Sequence, residues 1–234
     1  MPSVFEYPED AYNIRSASKV VPIIMEKFKP ASVIDLGCGK GDWLYVFKQL
    51  GMTDFIGIDG YKVPSEQLMI SPDKFLHKPL DKPIDLGRRF DICLCLEVAE
   101  HIEEASIKQL FQNLVEHSDL IVFSAAVPGQ GGDQHVNEQP PSYWKKLFSE
   151  QGYYCRDIIR PLIWDDGDIL WWYRQNIFIA SKKNIHPEMN DEIPFLIHPE
   201  NYFAKEAALA EIKYTPKRCI EYLLQRIKNK LTGK

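Results

Sequence analysis

A glycine-spaced loop directly after a short apolar run constrains this chain more than any other feature. Residues 33–36 read Val-Ile-Asp-Leu, residues 37–41 read Gly-Cys-Gly-Lys-Gly, and an amphipathic segment follows at once. This order predicts a buried strand, a turn whose backbone approaches a ligand closely, and a helix N-terminus. Such units occur in open α/β sheets, which bind ligands at the carboxyl ends of their strands.

An acidic residue at the end of the next apolar run extends this unit. Residues 55–58 predict a second strand, and Asp59 follows it directly. An acid about 20 residues past a glycine loop, at the tip of the following strand, is placed to bind ribose hydroxyls. The two features together predict a site for a nucleoside cofactor.

The charges of the loop favour one nucleoside cofactor over another. Dinucleotide-binding loops have a third glycine or an alanine where this chain has Asp42, and Asp35 lies just before the turn. Two carboxylates beside a pyrophosphate would repel it, whereas they suit a cofactor with an ammonium and a sulfonium. The pattern therefore favours S-adenosylmethionine over NAD.

Strand and helix patterns alternate along most of the chain. Helical periodicity covers residues 15–29, 41–50, 103–117 and 143–151, and strand patterns cover residues 32–36, 54–58, 91–96, 119–126, 153–160 and 175–181. This alternation predicts an α/β fold in which a parallel sheet has helices on both faces.

The composition changes after Lys183. We expect residues 1–183 to form the main domain and residues 184–234 to form a proline-spaced linker and a basic amphipathic helix. The apolar stripe of that helix comprises Ile220, Leu223, Leu224, Ile227 and Leu231, and its basic residues are Lys217, Arg218, Arg226, Lys228 and Lys230. Such a helix binds an anionic membrane, a protein partner or its own domain, and the last interpretation is favoured.

Charge and cysteine content narrow the function class. The net charge of −5 counts against nucleic acid as the main substrate. No uninterrupted apolar run approaches the ~20 residues of a transmembrane helix. The five cysteines show no paired spacing, which is typical of reduced thiols in a cytoplasmic protein.

Four ordered motifs give the chain a family resemblance. They are residues 35–41, residues 56–59, the pair Leu80-Asp81 and residues 90–101, and the similarity runs from about residue 31 to residue 182. The chain resembles class I S-adenosylmethionine-dependent methyltransferases. The Glu-x-x-Glu-His ending of the fourth motif is most similar to the ubiquinone-biosynthesis O-methyltransferase-like branch. The resemblance implies a Rossmann-like, seven-stranded, mostly parallel sheet whose last strand is antiparallel, and the helical C-terminal extension expected from the composition would follow this sheet.

The same resemblance implies which residues bind the cofactor. Asp35, Gly37, Gly39 and Trp43 would shape the methionine end of the site. Asp59 would bind the ribose, Asp81 the adenine amine, and Glu97 would form the far wall. Cys38, Gly60 and Leu80 would be further cofactor-binding residues.

A glycine-rich loop after the predicted fifth strand supplies the first catalytic candidate. Residues 127–135 end in His135, which lies at the ligand-binding edge of the sheet and is a candidate general base for a hydroxyl acceptor. His101 is the second candidate. The alternative is that the loop is merely flexible and that His135 is an ordinary surface histidine.

The fourth motif also has the composition of a metal site. Glu97, Glu100 and His101 have helical i, i+3, i+4 spacing, and with His135 they would offer ligands for Mg²⁺ or Mn²⁺. A similar element binds metal in some metal-dependent O-methyltransferases. In many relatives the same string binds no metal, the first glutamate faces the cofactor and the histidine only packs. The second interpretation is the favoured one.

Aromatic residues near the end of the domain indicate the acceptor. Trp164, Trp171, Trp172 and Tyr173 form a tryptophan-rich segment, predicted as a hairpin, that suits a sugar or polyphenol, although core packing explains it equally well. Residues 96–99 lack the Asn/Asp-Pro-Pro-aromatic turn of base N-methyltransferases.

The combined motifs predict O-methylation of a small molecule or of a sugar or glycan intermediate, with similarity to enzymes of bacterial surface-polysaccharide pathways. The alternatives are a metal-dependent RNA 2′-O-methyltransferase and a non-catalytic cofactor-binding scaffold.

Overall fold

The computed structural model describes residues 13–214 and 220–227 of the chain. The helices are α1 (Ile14–Phe28), α2 (Asp42–Gln49), α3 (Ile107–His117), α4 (Pro141–Glu150), α5 (Arg160–Ile163), α6 (Trp171–Asn176) and α7 (Pro199–Tyr214). The strands are β1 (Ser32–Leu36), β2 (Asp54–Asp59), β3 (Phe75–His77), β4 (Ile92–Leu96), β5 (Leu120–Ser124), β6 (Tyr154–Arg156) and β7 (Phe178–Ser181). Short 3₁₀ turns cover Ser65–Gln67, Pro72–Lys74, Ala99–His101 and Glu104–Ser106.

The seven strands form one sheet in the order β3-β2-β1-β4-β5-β7-β6. All neighbours are parallel except β7, which runs antiparallel to both β5 and β6. The predicted Rossmann-like sheet with an antiparallel last strand is confirmed. Because β1, β2, β4 and β5 are parallel, their carboxyl ends meet at one edge, and the loops that leave this edge build the site.

Two apolar clusters cover the sheet. Successive residues of β4 alternate between them, since Cys93 packs in one cluster while Ile92 and Leu94 pack in the other. The first cluster includes residues of α3 and α4, and the second includes residues of α1 and α2. This alternation follows from the two-residue period of a strand, so both faces of the sheet are buried.

Three predicted elements differ from the structure. The predicted strand 153–160 ends at Arg156, and α5 begins at Arg160 with Pro161 in its first turn, where proline fits. The strand predicted from residue 175 begins only at Phe178, because residues 171–176 form α6 instead of half a hairpin. The helix predicted from residue 103 begins as the 3₁₀ turn Glu104–Ser106.

Besides α5 and α6, the sequence patterns missed two elements. The first is β3, a three-residue strand that pairs with the end of β2 in a stretch expected to be irregular. The second is α7, which has no apolar stripe for periodicity to reveal, although its Ala, Glu and Lys content favours a helix.

The chain divides into two compact units, Met1–Leu196 and Ile197–Lys234. In the second unit, α7 is followed by residues 220–227, which are helical as predicted. The side chains of Ile220, Leu223, Leu224 and Ile227 are exposed there. The remaining stripe and basic residues, which are Leu231, Lys217, Arg218, Lys228 and Lys230, lie outside the described residues. None of the helices in the described ranges is long and apolar enough to cross a membrane.

Candidate active site

A cavity of about 620 Å³ opens at the carboxyl edge of the sheet. All the residues predicted to bind the cofactor line this cavity. Glu100, His101 and His135, which are the other predicted catalytic or metal-binding residues, line it as well. The full set is Asp35, Gly37, Cys38, Gly39, Trp43, Asp59, Gly60, Leu80, Asp81, Glu97, Glu100, His101 and His135. Loops after the five strands β1 to β5 therefore converge on one volume.

The glycine loop is tied to the end of the neighbouring strand. The backbone N–H groups of Gly37 and Cys38 both donate to the carbonyl of Ile58, at 2.7 and 3.2 Å. Gly37 has a φ of 89°, and a Cβ on it would overlap the side chain of Val98. Any other residue at position 37 would be strained in its backbone and would displace the loop after β4.

Asp59 links this loop to the floor of the cavity. Its Oδ2 accepts the N–H of Gly39 at 2.7 Å, and its Oδ1 accepts the N–H of Tyr61 at 2.8 Å. Burial raises the pKa of Asp59, and the two backbone hydrogen bonds oppose that rise. Each carboxylate oxygen retains acceptor capacity for a ribose hydroxyl.

Three carboxylates give this half of the cavity a negative potential. Burial, followed by repulsion from Asp59 and Asp42, holds the pKa of Asp35 well above its usual range. Burial also raises the pKa of Asp42. Buried acids that repel one another are stabilised by a cation between them. A ligand that presents an ammonium and a sulfonium fits this arrangement, and a pyrophosphate does not.

Glu97 forms the centre of a buried polar network. Its carboxylate accepts hydrogen bonds from Asn176 Nδ2 at 3.1 Å and from Gln130 Nε2 at 3.2 Å. Burial raises the pKa of Glu97, and the hydrogen bonds from Asn176, Ser124 and Gln130 oppose that rise. The side-chain amide oxygen Oε1 of Gln130 also accepts hydrogen bonds from Asn176 Nδ2 and Gln175 Nε2, both at 3.0 Å. The network therefore connects the loop after β5 to α6.

No sequence pattern predicted that Gln130, Gln175 and Asn176 belong to this network. The predicted placement of Glu97 on one helical turn with Glu100 and His101 is wrong. Glu97 has a φ of 54° and lies before the 3₁₀ turn Ala99–His101, so it does not share one helical turn with Glu100 and His101.

Three of the four predicted metal ligands come together. One ligand atom each from Glu100, His101 and His135 lies within 4.8 Å of the others. Among the described residues Glu97 is not in this group, and its carboxylate is engaged by the network above.

Glu100 is the side chain that most clearly fits a cation. It is fully buried, and among the described residues neither carboxylate oxygen has a hydrogen-bond partner of normal geometry, although the backbone amides of Glu100 and Ala126 and the carboxyl group of Glu97 lie close to it. Burial, followed by repulsion from Glu97, holds the pKa of Glu100 well above its usual range. A buried acceptor without a partner carries the full cost of its desolvation, which a bound cation would offset.

His101 is held in its neutral form. Burial, with a smaller contribution from His135, lowers the pKa of His101 to about 4, and a hydrogen bond to the carbonyl of Gln134 opposes this. The His101 and His135 rings meet edge to face, with centroids 4.9 Å apart. Neutral imidazole is the form that ligates metals and accepts protons.

The loop that carries His135 is fixed at several points. The backbone N–H groups of Val136 and Asn137 donate to the carbonyl of Glu100, at 2.9 and 3.0 Å. His135 Nδ1 lies 2.9 Å from the carboxylate of Glu138. His135 is therefore an ordered residue of the cavity wall rather than an exposed surface histidine.

An aromatic wall completes the cavity on the side of α6. Trp171, Trp172 and Tyr173 line it, and Tyr173 packs edge to face on Trp43 with centroids 5.1 Å apart. Trp164 is not part of this lining, and its carbonyl accepts a hydrogen bond from Arg174. The aromatic residues predicted for the acceptor thus divide into three that face the cavity and one that does not.

Comparison with known proteins agrees with this geometry. The family model described as "Methyltransferase domain" matches residues 10–158. Three solved structures share the fold, each at 17–18% identity. The methyltransferase domain of bacterial CtHen1 has a TM-score of 0.52, with 72% of this chain and 98% of that chain covered. The plantazolicin methyltransferase BpumL in complex with S-adenosylhomocysteine has a TM-score of 0.52, with 72% of this chain and 83% of that chain covered.

The magnesium protoporphyrin IX methyltransferase of Synechocystis PCC 6803, solved with S-adenosylmethionine, has a TM-score of 0.53, with 73% of this chain and 79% of that chain covered. The search of curated proteins found no significant match to this sequence.

Proposed function

This chain belongs to the methyltransferase domain family, and from that premise we propose that it methylates a hydroxyl oxygen of a small molecule or of a sugar or glycan intermediate. S-adenosylmethionine is the cofactor of the family, and when bound it supplies a methyl group on a sulfonium that is already a good leaving group. The protein must then align an acceptor oxygen with that methyl group and remove its proton.

The cofactor half of the cavity performs the alignment. Asp35 and the glycine loop would bind the amino-acid end, and Asp59 would bind the ribose hydroxyls through the acceptor capacity described above. Leu80 and Asp81, which follow β3, line the same cavity as the glycine loop. We assign them to the adenine. Glu97, fixed by Asn176 and Gln130, forms the wall between cofactor and acceptor.

One observation carries the assignment to oxygen: a buried glutamate, to which the described part of the chain offers no hydrogen-bond partner of normal geometry, lies within reach of two histidines in the same cavity. We assign Glu100, His101 and His135 as ligands of a divalent cation, for which a mixed nitrogen and oxygen set suits Mn²⁺ better than Mg²⁺. A bound ion of this kind lowers the pKa of an acceptor hydroxyl. Without it, His135 is the residue placed to accept the hydroxyl proton.

The lining of the acceptor half favours an uncharged ring. Trp171 and Trp172 offer flat apolar surfaces, while Glu103 and Asp133 add negative charge near the histidines. Aromatic faces with nearby hydrogen-bonding groups bind sugars and phenols, and acidic walls repel a phosphate backbone. The same acidic lining counts against the RNA 2′-O-methyltransferase alternative. A surface-polysaccharide intermediate is one acceptor that meets these requirements.

Calorimetric titration with S-adenosylhomocysteine, after EDTA treatment and then with Mn²⁺ added, tests the proposal. We expect binding in both conditions and a separate Mn²⁺ binding event. An acceptor screen then compares nucleotide sugars, phenols and short RNA. Turnover of RNA alone would replace the proposed acceptor class, and cofactor binding with no turnover of any acceptor would support a scaffold.

We also propose a reducing location such as the cytoplasm. Cys38, Cys93, Cys95 and Cys155 are buried free thiols, and burial raises the pKa of each, which suppresses their reactivity.

We further propose that the helix of residues 220–227 makes a peripheral contact with a membrane or a protein. Its exposed apolar residues support this proposal.

A further inference from the structure

We propose that Glu138 is a positioning residue that fixes the tautomer of His135, with the proton on Nδ1 and a free lone pair on Nε2. The inference rests on the role proposed above for His135 as base or metal ligand. Both roles need an unprotonated ring nitrogen, and in neutral imidazole only one of the two nitrogens is unprotonated.

Three hydrogen bonds converge on the Glu138 carboxylate. Oε2 accepts the backbone N–H of Gly129 at 2.8 Å, and Oε1 accepts the N–H of Gly131 at 2.6 Å. Oε1 also lies 2.9 Å from His135 Nδ1. Since both oxygens already accept a backbone N–H, the group is arranged as a carboxylate, which has no proton to donate. His135 Nδ1 must therefore be the donor.

A second histidine–glutamate pair in the molecule shows what is special about this one. His186 Nδ1 lies 3.0 Å from Glu188, but the two side chains are 48% and 68% exposed. The corresponding values for His135 and Glu138 are 13% and 19%. Water competes for the exposed pair and screens it, whereas the sheltered pair keeps its hydrogen bond and holds one tautomer.

Backbone hydrogen bonds also fix the position of the His135 ring. Val136 and Asn137 are bonded to the carbonyl of Glu100, so the loop cannot withdraw His135 from Glu100 without breaking two hydrogen bonds. The Nε2 edge of the ring lies against Gly132, where a Cβ would overlap it. His101 is oriented in a similar way, since its Nδ1 lies 3.4 Å from the carbonyl of Gln134. Oxygen acceptors at Nδ1 are the usual partners of histidines that ligate metals through Nε2.

Long-range ¹⁵N–¹H NMR of histidine-labelled protein at pH 8, in the absence of metal, tests the assignment. We expect wild-type His135 to show a protonated Nδ1 and an unprotonated Nε2. Glu138→Leu removes the acceptor at similar size, and His135 should shift to Nε2–H or to a mixture of tautomers. Glu138→Gln keeps one carbonyl oxygen for Nδ1 and should retain the wild-type tautomer. Glu188→Leu is the matched control and should leave the His135 signals unchanged.

An Nε2–H tautomer of wild-type His135 would overturn the proposal, and so would an unchanged tautomer in folded Glu138→Leu. Because the first outcome needs no variant, the proposal can be refuted even if Glu138→Leu does not fold. As a second readout, the Mn²⁺ affinity of Glu138→Leu should fall about 10–100-fold while that of Glu138→Gln stays near wild type. If no form of the protein binds Mn²⁺, the metal role in the proposed function fails, and the NMR result still decides the tautomer.

Discussion

The cavity has two halves that are held together in different ways. Beside β1 and β2, backbone groups bond to side chains that lie a few residues beyond paired strand positions. Leu36 pairs with Ile58 in the sheet, and this register brings the N–H of Gly39 next to the carboxylate of Asp59. Beside β4, β5 and α6 the contacts run between side chains from distant parts of the chain, such as Asn176 and Glu97. The sheet register therefore builds the cofactor half, while side-chain identity builds the acceptor half.

This difference has a consequence for function. A site fixed by register persists wherever the fold persists, so one cofactor can serve many family members. A site fixed by side chains such as Gln130, Gln175 and Asn176 changes with single substitutions, so it can be adapted to different acceptors. Separate variants should therefore disable each half while leaving the other intact.

The largest expected effect separates chemistry from cofactor binding. His135→Ala should lower the rate of methyl transfer to the acceptor by about 10²–10⁴-fold, because it removes a base or a metal ligand. Its affinity for S-adenosylhomocysteine should stay within about twofold of wild type, since the hydrogen bonds of Gly37, Gly39 and Asp59 do not involve the His135 side chain. Single-turnover transfer of labelled methyl and calorimetry measure the two quantities.

His186→Ala is the control for His135→Ala, because His186 is exposed and does not line the cavity. It should match wild type in both assays. Loss of cofactor affinity in His135→Ala would show that the two halves are not independent.

The second effect acts on the cofactor half alone. Asp59→Ala removes the ribose acceptor and the partner of Gly39 and Tyr61 N–H. Affinity for S-adenosylhomocysteine should fall about 10–100-fold, the range for losing hydrogen bonds to a charged group. Mn²⁺ affinity, measured by titration, should not change. Asp54→Ala, at the other end of β2, loses only an exposed ion pair with Arg88 and should bind both ligands normally.

The third effect concerns pH in the acceptor half. The pKa of His101 is about 4 in the folded protein, against 6.5 for the unperturbed side chain. Between these values the unfolded chain binds a proton that the folded chain does not, so stability falls as pH drops from 6.5 towards 4. The loss should be on the order of 1–2 kcal/mol after allowance for screening by water.

Urea unfolding of metal-free protein at several pH values measures this loss. His101→Asn should flatten that part of the profile, and His186→Asn should not. Equal profiles for wild type and His101→Asn would mean that His101 titrates normally in the folded state.

The contrast between the halves also explains what the sequence could predict. Asp35, Gly37 and Asp59 lie in short motifs whose spacing is set by one turn and one strand, so local patterns and the family resemblance were enough to predict that they lie together in one cavity. The group of Glu100, His101 and His135 was predicted only in composition. Its geometry depends on how the loops after β4 and β5 approach each other. Glu97 is not part of the group, because its own positive φ directs the backbone away from a continuous helical turn with Glu100 and His101.

The polar network could not be predicted at all. Gln175 and Asn176 have the same sequence character as any solvent-facing pair, and only the formation of α6 buries them. Helix α7 was missed for a related reason. It lacks the periodic apolar pattern that burial of one helix face imposes, so sequence periodicity does not reveal it. Patterns reveal residues whose positions are local and miss those whose environment comes from tertiary packing.

The smallest expected effect tests how tightly the acceptor half is packed. Gly132→Ala adds a Cβ that overlaps the His135 ring, so either the ring must move or the loop must open. Because a small misplacement of a reacting group is costly, methyl transfer should fall severalfold while cofactor affinity stays constant. Gly167→Ala is the matched control, since open space surrounds that position. Full activity in Gly132→Ala would show that the loop yields easily, and then the acceptor half would owe its geometry to the bound acceptor rather than to preorganised side chains.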